Sequence, residues 1–116
     1  MNIEEFRDFC LAKEGTDEGM PFDDQVLVLK VAGKMFALTN IDNFESINLK
    51  CDPVLALELR ENYSEVRPGW HMNKKHWNTV SLQGKLSDEQ VYEWIDHSYE
   101  MVVQSLNGQE REKLKN

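Results

Sequence analysis

The sequence predicts an α+β domain: a mainly antiparallel sheet with the terminal helices packed on one of its faces. Three observations carry that prediction. Apolar residues recur at helical spacing at both ends of the chain and once in its middle. Between these stretches run short segments rich in Val, Leu and Phe, two of them separated only by Ala32-Gly33. Strands and helices do not alternate singly, so the βαβ unit that builds parallel sheets is missing. A chain of 116 residues fits one domain, long enough to bury a core without disulfides or metals, and residues 109–116 read as a charged tail.

The first helix is expected from Ile3 to Lys13. Asn2 caps it, Glu5 reaches back as in a capping box, and Ile3, Phe6, Phe9 and Cys10 define its apolar side. The polar run Thr16 to Gly19 reads as a connection leading to Pro21-Phe22, where proline imposes an extended or turn entry. Strands are expected at Gln25–Val31 and Lys34–Thr39, joined by a glycine-containing hairpin turn. A polar loop precedes a short strand, Ser46–Lys50. Asp52-Pro53 then opens a second helix with an N-cap and an N1 proline, running to Asn62 and packing through Val54, Leu55, Leu59 and Leu57.

The chain becomes extended again near Val66, turns through Pro68–Asn73, and forms a strand from His76 to Leu82. In that strand Trp77, Thr79 and Ser81 face one way and Asn78, Val80 and Leu82 the other. Ser87 caps the last helix with Gln90 in the capping-box position, and Val91, Trp94, Ile95, Ser98, Val102 and Leu106 form its stripe. Burial of the five large apolar members contributes roughly 1.5 to 3 kcal/mol each before entropy is counted. Gly108 is expected to end this helix.

Charge and cysteines narrow the function classes. No apolar run reaches the roughly 20 residues needed to span a bilayer, and the acidic start Met1-Asn2-Ile3-Glu4-Glu5 lacks the pattern of a secretory signal; a cytoplasmic protein is expected, with no membrane partner. Cys10 and Cys51 are then expected to stay reduced. Cys10 lies on the apolar side of the first helix, and Cys51, just before a helix N-terminus, reads as structural because no paired base can be argued for it. The net charge of −8 argues against a general nucleic-acid binder. Its distribution is uneven, however. Residues 1–24 carry eight acids against Arg7 and Lys13, whereas residues 67–85 hold Arg67, Lys74, Lys75 and Lys85 and no acid.

The richest segment is Pro68-Gly69-Trp70-His71-Met72-Asn73-Lys74-Lys75-His76-Trp77-Asn78-Thr79-Val80, with two tryptophans, two histidines and two lysines. Together with Gly33-Lys34-Met35-Phe36, Asn48-Leu49-Lys50-Cys51-Asp52-Pro53 and Ser98-Tyr99, it resembles the MmcQ/YjbR family across nearly the whole chain. The resemblance implies a CyaY/frataxin-like fold. It also implies a DNA-binding surface made of two exposed hairpins, a double wing, to be sought at Val31–Lys34 and around Trp70–Trp77. Two residues depart from the family pattern: Asp23 stands where glycine is expected, and Trp70 where tyrosine is common.

The site expected from this resemblance and from the local basic and aromatic character comprises Lys34, Arg67, Trp70, His71, Asn73, Lys74, Lys75 and His76. Lysines there would contact phosphates while Trp70 stacks on a base, an interaction of about 1 to 3 kcal/mol. Neutralising about four phosphates would give a log–log salt slope near −3.6. The plainer reading has Trp77 in the core, the lysines solvating a loop and Asn73 and Asn78 bonding turn backbone. His71 and His76 lack metal-ligand spacing, so no metal or other cofactor is expected. No nucleophile elbow, phosphate loop or metalloprotease motif points to an enzyme. The acidic face Glu4, Glu5, Asp8 matches the iron-meeting helix of frataxins by analogy of fold alone, and reads more simply as solvated. The alternative to DNA binding is a non-enzymatic module for a protein partner or small ligand.

Overall fold

Asn2 and Glu5 exchange the two bonds of a capping box, Oδ1 accepting from Glu5 N at 2.8 Å and Asn2 N donating to Glu5 Oε1 at 2.9 Å, and helix α1 (Ile3–Leu11) starts there. The protein is seen in a computed structural model that describes residues 1–70 and 72–115. After α1 come strands β1 (Thr16–Gly19), β2 (Val26–Val31), β3 (Lys34–Asn40) and β4 (Ser46–Lys50), then helix α2 (Pro53–Asn62). Strands β5 (Val66–Pro68) and β6 (Trp77–Ser81), helices α3 (Asp88–Ser105) and α4 (Gly108–Glu112), and a 3₁₀ turn at Lys113–Lys115 complete the chain.

The six strands form one antiparallel sheet in the order β1-β2-β3-β4-β6-β5. Ala32 and Gly33 both adopt positive φ, 51° and 82°, the geometry of the tight turn whose twist matches paired strands. Between β2 and β3 the register slips at Leu29/Lys30, leaving Phe36 as an extra residue, so Phe36 and Ala37 both enter the helix-side core. That core also takes Leu27, Leu29, Val31, Ile47, Leu49 and Val80 from the sheet, Phe6 and Cys10 from α1, and Val91, Trp94, Ile95 and Val102 from α3. Phe9 stacks on Tyr92 with ring centroids 4.1 Å apart, joining the terminal helices. Every residue of the α3 stripe is buried, including Leu106 just past the helix.

The opposite face of the sheet carries no helix; its own small cluster consists of Val28, Leu38 and Trp77, flanked by Val26, Met35 and Met72. Trp77 is therefore buried, as expected, but on the open side. No helix among the described residues is long and apolar enough to cross a membrane.

Four expectations are corrected. Thr16–Gly19 is a strand: its backbone pairs with Val28–Val31 at the sheet edge, where a charged side chain can point to water and β-propensity is unnecessary. On α2 the buried residue is Ala56, while Val54 and Leu57 are exposed. A small residue lets the helix backbone approach β6 closely enough for Asn78 Nδ2 to donate to Ala56 O. Gly108 begins a helix rather than ending one; α3 stops at Ser105 and Asn107 forms a second capping box with Glu110 that starts α4. At Ser87 only the cap half is made, Oγ accepting from Gln90 N, while the Gln90 amide donates to Glu93.

Candidate binding groove

Alternation in the strands sends Val26, Val28 and Lys30 of β2, Leu38 of β3, Ser46, Asn48 and Lys50 of β4, Arg67 of β5, and Trp77 and Thr79 of β6 to the open face. The segment after β5 folds back over that face. Gly69 N donates to Trp77 O at 2.9 Å, and the Lys74 ammonium donates to Gly69 O at 3.2 Å. Gly69 is required by proximity: a Cβ there would lie 2.8 Å from Trp77 Cβ. The next residue is pinned by its backbone, Trp70 N donating to Thr79 Oγ1 at 3.0 Å, which leaves the indole 72% exposed at the rim.

Together with Phe22 (63% exposed), which enters from the segment before β2, this loop turns the open face into a groove of about 800 Å³. Val26, Leu38, Pro68 and Met72 are the apolar part of its lining, and Asn40, Ser46, Asn48 and Thr79, on the sheet floor, much of the polar part. Arg67 is the one formally charged residue among the lining residues described. The floor is ordered by hydrogen bonds. Thr79 Oγ1 donates to Asn48 Oδ1 at 2.6 Å, a separation that fits O–H···O and is too short for N–H···O. Thr39 donates to Ser46 O at 2.8 Å, and Asn40 Oδ1 accepts from Asp42 N at 2.8 Å.

The residues expected from sequence separate. Arg67 and Trp70 line the groove. Lys74 holds the loop over it, and Lys75 is exposed beside it. Asn73 is a turn residue, its side chain accepting from Lys75 N at 2.9 Å and its carbonyl from Trp77 N at 3.0 Å, which is the plainer role foreseen for it. His76 is half-buried and its carbonyl accepts from Cys51 N at 2.7 Å. Lys34 lies apart from the groove lining, its ammonium 3.4 Å from Glu110 of α4 on the helix side. His71 lies outside the described residues. Phe22, Asn48 and Thr79 were not foreseen as site residues; the signal available was the run of polar residues at the outward positions of otherwise apolar strands.

The cysteines are inert in this geometry. Burial pushes the Cys10 thiol up to about 12 and the Cys51 thiol up to about 11, so neither is a thiolate near neutrality. Among the described residues no group of three or more His, Cys, Asp and Glu side chains converges as a metal site would.

Charge is distributed unevenly over the molecule. Helices α1 and α3 carry the exposed acids Glu4, Glu5, Asp8, Asp88, Glu89, Glu93, Asp96 and Glu100 and a single arginine, Arg7, which is itself paired with Glu18 at 2.6 Å. Lys30, Lys50 and Arg67 are on the open face, with Lys74 and Lys75 in the loop above it and Asp17 across from Lys30.

Fold and groove define a class: an antiparallel sheet backed by helices on one face, with a groove on the other. The sequence profile of the YjbR family matches residues 11–101, and the chain belongs to that family. It is 38% identical over 115 residues to the uncharacterised protein YjbR of Escherichia coli K12, covering 98% of each chain. It is 33% identical over 96 residues to the uncharacterised protein YbdF of Escherichia coli O157:H7, covering 82% of this chain and 79% of that one. Among solved structures, Deinococcus radiodurans protein DR2400 superposes with a TM-score of 0.90 at 36% identity, over 98% of this chain and 88% of that one. A Pseudomonas syringae protein superposes with a TM-score of 0.73 at 29% identity, over 87% and 98% of the respective chains.

Proposed function

We propose that this protein is a non-catalytic, cytoplasmic nucleic-acid-binding module that takes a single strand of DNA across the open face of its sheet. The observation that carries the reading is a cluster of cations and exposed aromatics: the face bearing the groove and the exposed Trp70 and Phe22 also bears Lys30, Lys50, Arg67, Lys74 and Lys75, no described lining residue is acidic, and eight exposed acids lie on α1 and α3 behind it. A net charge of −8 is compatible with binding when like-signed groups are held on the far side of the molecule and screened over about 8 to 10 Å. Aromatic rims suit unstacked bases, which favours a single strand over a duplex.

The double-wing form of the reading is supported on one side only. The loop over the groove supplies a basic, aromatic surface; the Ala32-Gly33 hairpin sends Lys34 toward Glu110. A likeness to frataxins is consistent with helices on one side of an antiparallel sheet and adds nothing on the ligand.

Fluorescence anisotropy with labelled single- and double-stranded DNA tests the reading. Five phosphate contacts on a single strand predict a log–log salt slope of about −3.5 and roughly a hundredfold loss of affinity between 50 and 200 mM salt. The double variant Lys74→Glu, Lys75→Glu abolishes binding if the reading holds. Absence of binding at 50 mM salt with tens of micromolar protein contradicts it.

A small-ligand function is favoured by one separate observation. The groove's volume of about 800 Å³ lies within the range of small-molecule sites, and its sides are mostly apolar.

A further inference from the structure

We propose that the groove is a site for one small molecule with a flat apolar body and a carboxylate head. This goes beyond nucleic-acid binding. That reading rests on cations spread over the face and loop, whereas this one rests on the polar inventory of the floor.

The inventory is one-sided. Thr79 Oγ1 has spent its only proton, donating to Asn48 Oδ1 while accepting from Trp70 N. Its proton fixes the Asn48 amide with oxygen inward, and the Asp42 N–H fixes the Asn40 amide in the same sense. The Thr39 hydroxyl is spent on Ser46 O. What remains for an occupant, among the described residues, is the two amide NH₂ groups, the Ser46 hydroxyl and the Arg67 guanidinium. All can donate, and no described lining residue is a carboxylate. Unspent side-chain protons in the groove outnumber its free acceptors, which favours a ligand that accepts, and Arg67 makes an anionic acceptor the better match.

The rest of the lining selects the body. Val26, Leu38, Pro68 and Met72 give apolar walls, and Phe22 and Trp70 stand at the rim, where flat rings stack. A cationic ligand finds no carboxylate among the described lining residues, and a sugar-like ligand, rich in its own donors, finds Asn48 Oδ1 and Asn40 Oδ1 each already accepting one bond from the protein.

The probes are 2-naphthoate, its neutral isostere 2-naphthamide, and 2-(aminomethyl)naphthalene, titrated by calorimetry and by amide and side-chain NMR. The expected order is naphthoate, then naphthamide, then the amine, with naphthoate at least about tenfold tighter than the amine. Naphthoate is expected to shift the Asn48 NH₂ and Arg67 Nε resonances. Arg67→Gln is expected to bring naphthoate to the level of naphthamide. Asn48→Asp keeps an acceptor for the Thr79 hydroxyl, so the fold is retained while naphthoate binding falls by tenfold or more. Equal affinity for the three probes, shifts confined to the exposed Val54 and Leu57 of α2, or no binding at several millimolar would each overturn the proposal. Because Lys75 is exposed and outside the lining, and Lys74 with its bond to Gly69 O is left intact, Lys75→Glu should leave naphthoate binding within about twofold while weakening DNA binding, which separates this result from the DNA reading.

Discussion

Thr79 and Gly69 govern the groove although neither is charged. Thr79→Val keeps the shape of the side chain and removes both of its bonds, stranding Trp70 N and Asn48 Oδ1. Leaving such groups unpaired costs about 1 to 3 kcal/mol, and chemical denaturation should show that loss together with a mobile loop 69–76. Gly69→Ala forces a Cβ against Trp77, whose backbone oxygen lies 3.1 Å away and cannot retreat without breaking the strand; overpacking of this kind costs about 1 to 3 kcal/mol, read as a lower melting temperature. The cysteines give a pH dependence whose sign is fixed by burial. Their folded values are raised above the ordinary 9.0, so their contribution to stability is full below pH 9 and is lost as pH climbs through about 11 and 12. A stability profile by urea titration should therefore fall on the alkaline side of pH 9, and Cys10→Ala, Cys51→Ala should flatten that fall. Trp70 was legible in the sequence because an aromatic beside two lysines in a loop is unusual. Thr79 and Asn48 were not, because their roles depend on being opposite one another across β4 and β6, a register set by tertiary pairing.

Elements were read well where local chemistry decides them. Asn2 with Glu5, Asp52 with Pro53 and the α3 stripe each act within a few residues, and all three appear as expected. Two of the failures share a cause: β1 pairs at an edge that only β2 provides, and the buried side of α2 is chosen by Arg60, which donates to Asn78 Oδ1 at 2.7 Å and to the carbonyls of Lys74 and Trp77. Those bonds tie α2 to the groove loop from behind. Arg60→Ala should destabilise the fold by about 1 to 3 kcal/mol and weaken any groove ligand, because the loop loses its support. Ser98 is the polar member of an apolar stripe, and the sheet explains it. Beyond the Ala37–Leu49 pair, β3 and β4 diverge, and Ser98 Oγ bridges them by donating to Phe36 O at 2.5 Å and accepting from Lys50 N at 2.8 Å. Ser98→Ala is expected to be as costly as a large core truncation, about 2 to 4 kcal/mol, since two buried backbone groups lose their partner at once. At the other end of the chain, Asn107 and Glu110 start α4 and bring Glu110 to Lys34. The Asn107 backbone N–H, and then Lys34, hold the Glu110 carboxyl below its usual range.

At the scale of the molecule, the asymmetry of the two faces is the central result. One face is covered by helices that carry eight exposed acids; the other is grooved and carries Lys30, Lys50 and Arg67, with Asp17 across from Lys30. The net charge alone gave no hint of where the cations lie; that Lys30, Lys50 and Arg67 share a face became visible only once strand order and register were known. The uneven distribution along the chain was a partial clue, since the acids of residues 1–24 and the bases of residues 67–85 fall in different segments. The measurement that tests the account most directly is an amide chemical-shift titration with a short single-stranded oligothymidylate at low salt. The account predicts shifts at Lys30, Asn48, Arg67, Trp70 and Thr79 that vanish as salt is raised, with α1 and α3 unmoved. Shifts centred on α1 and α3, or none at several hundred micromolar oligonucleotide, would contradict it.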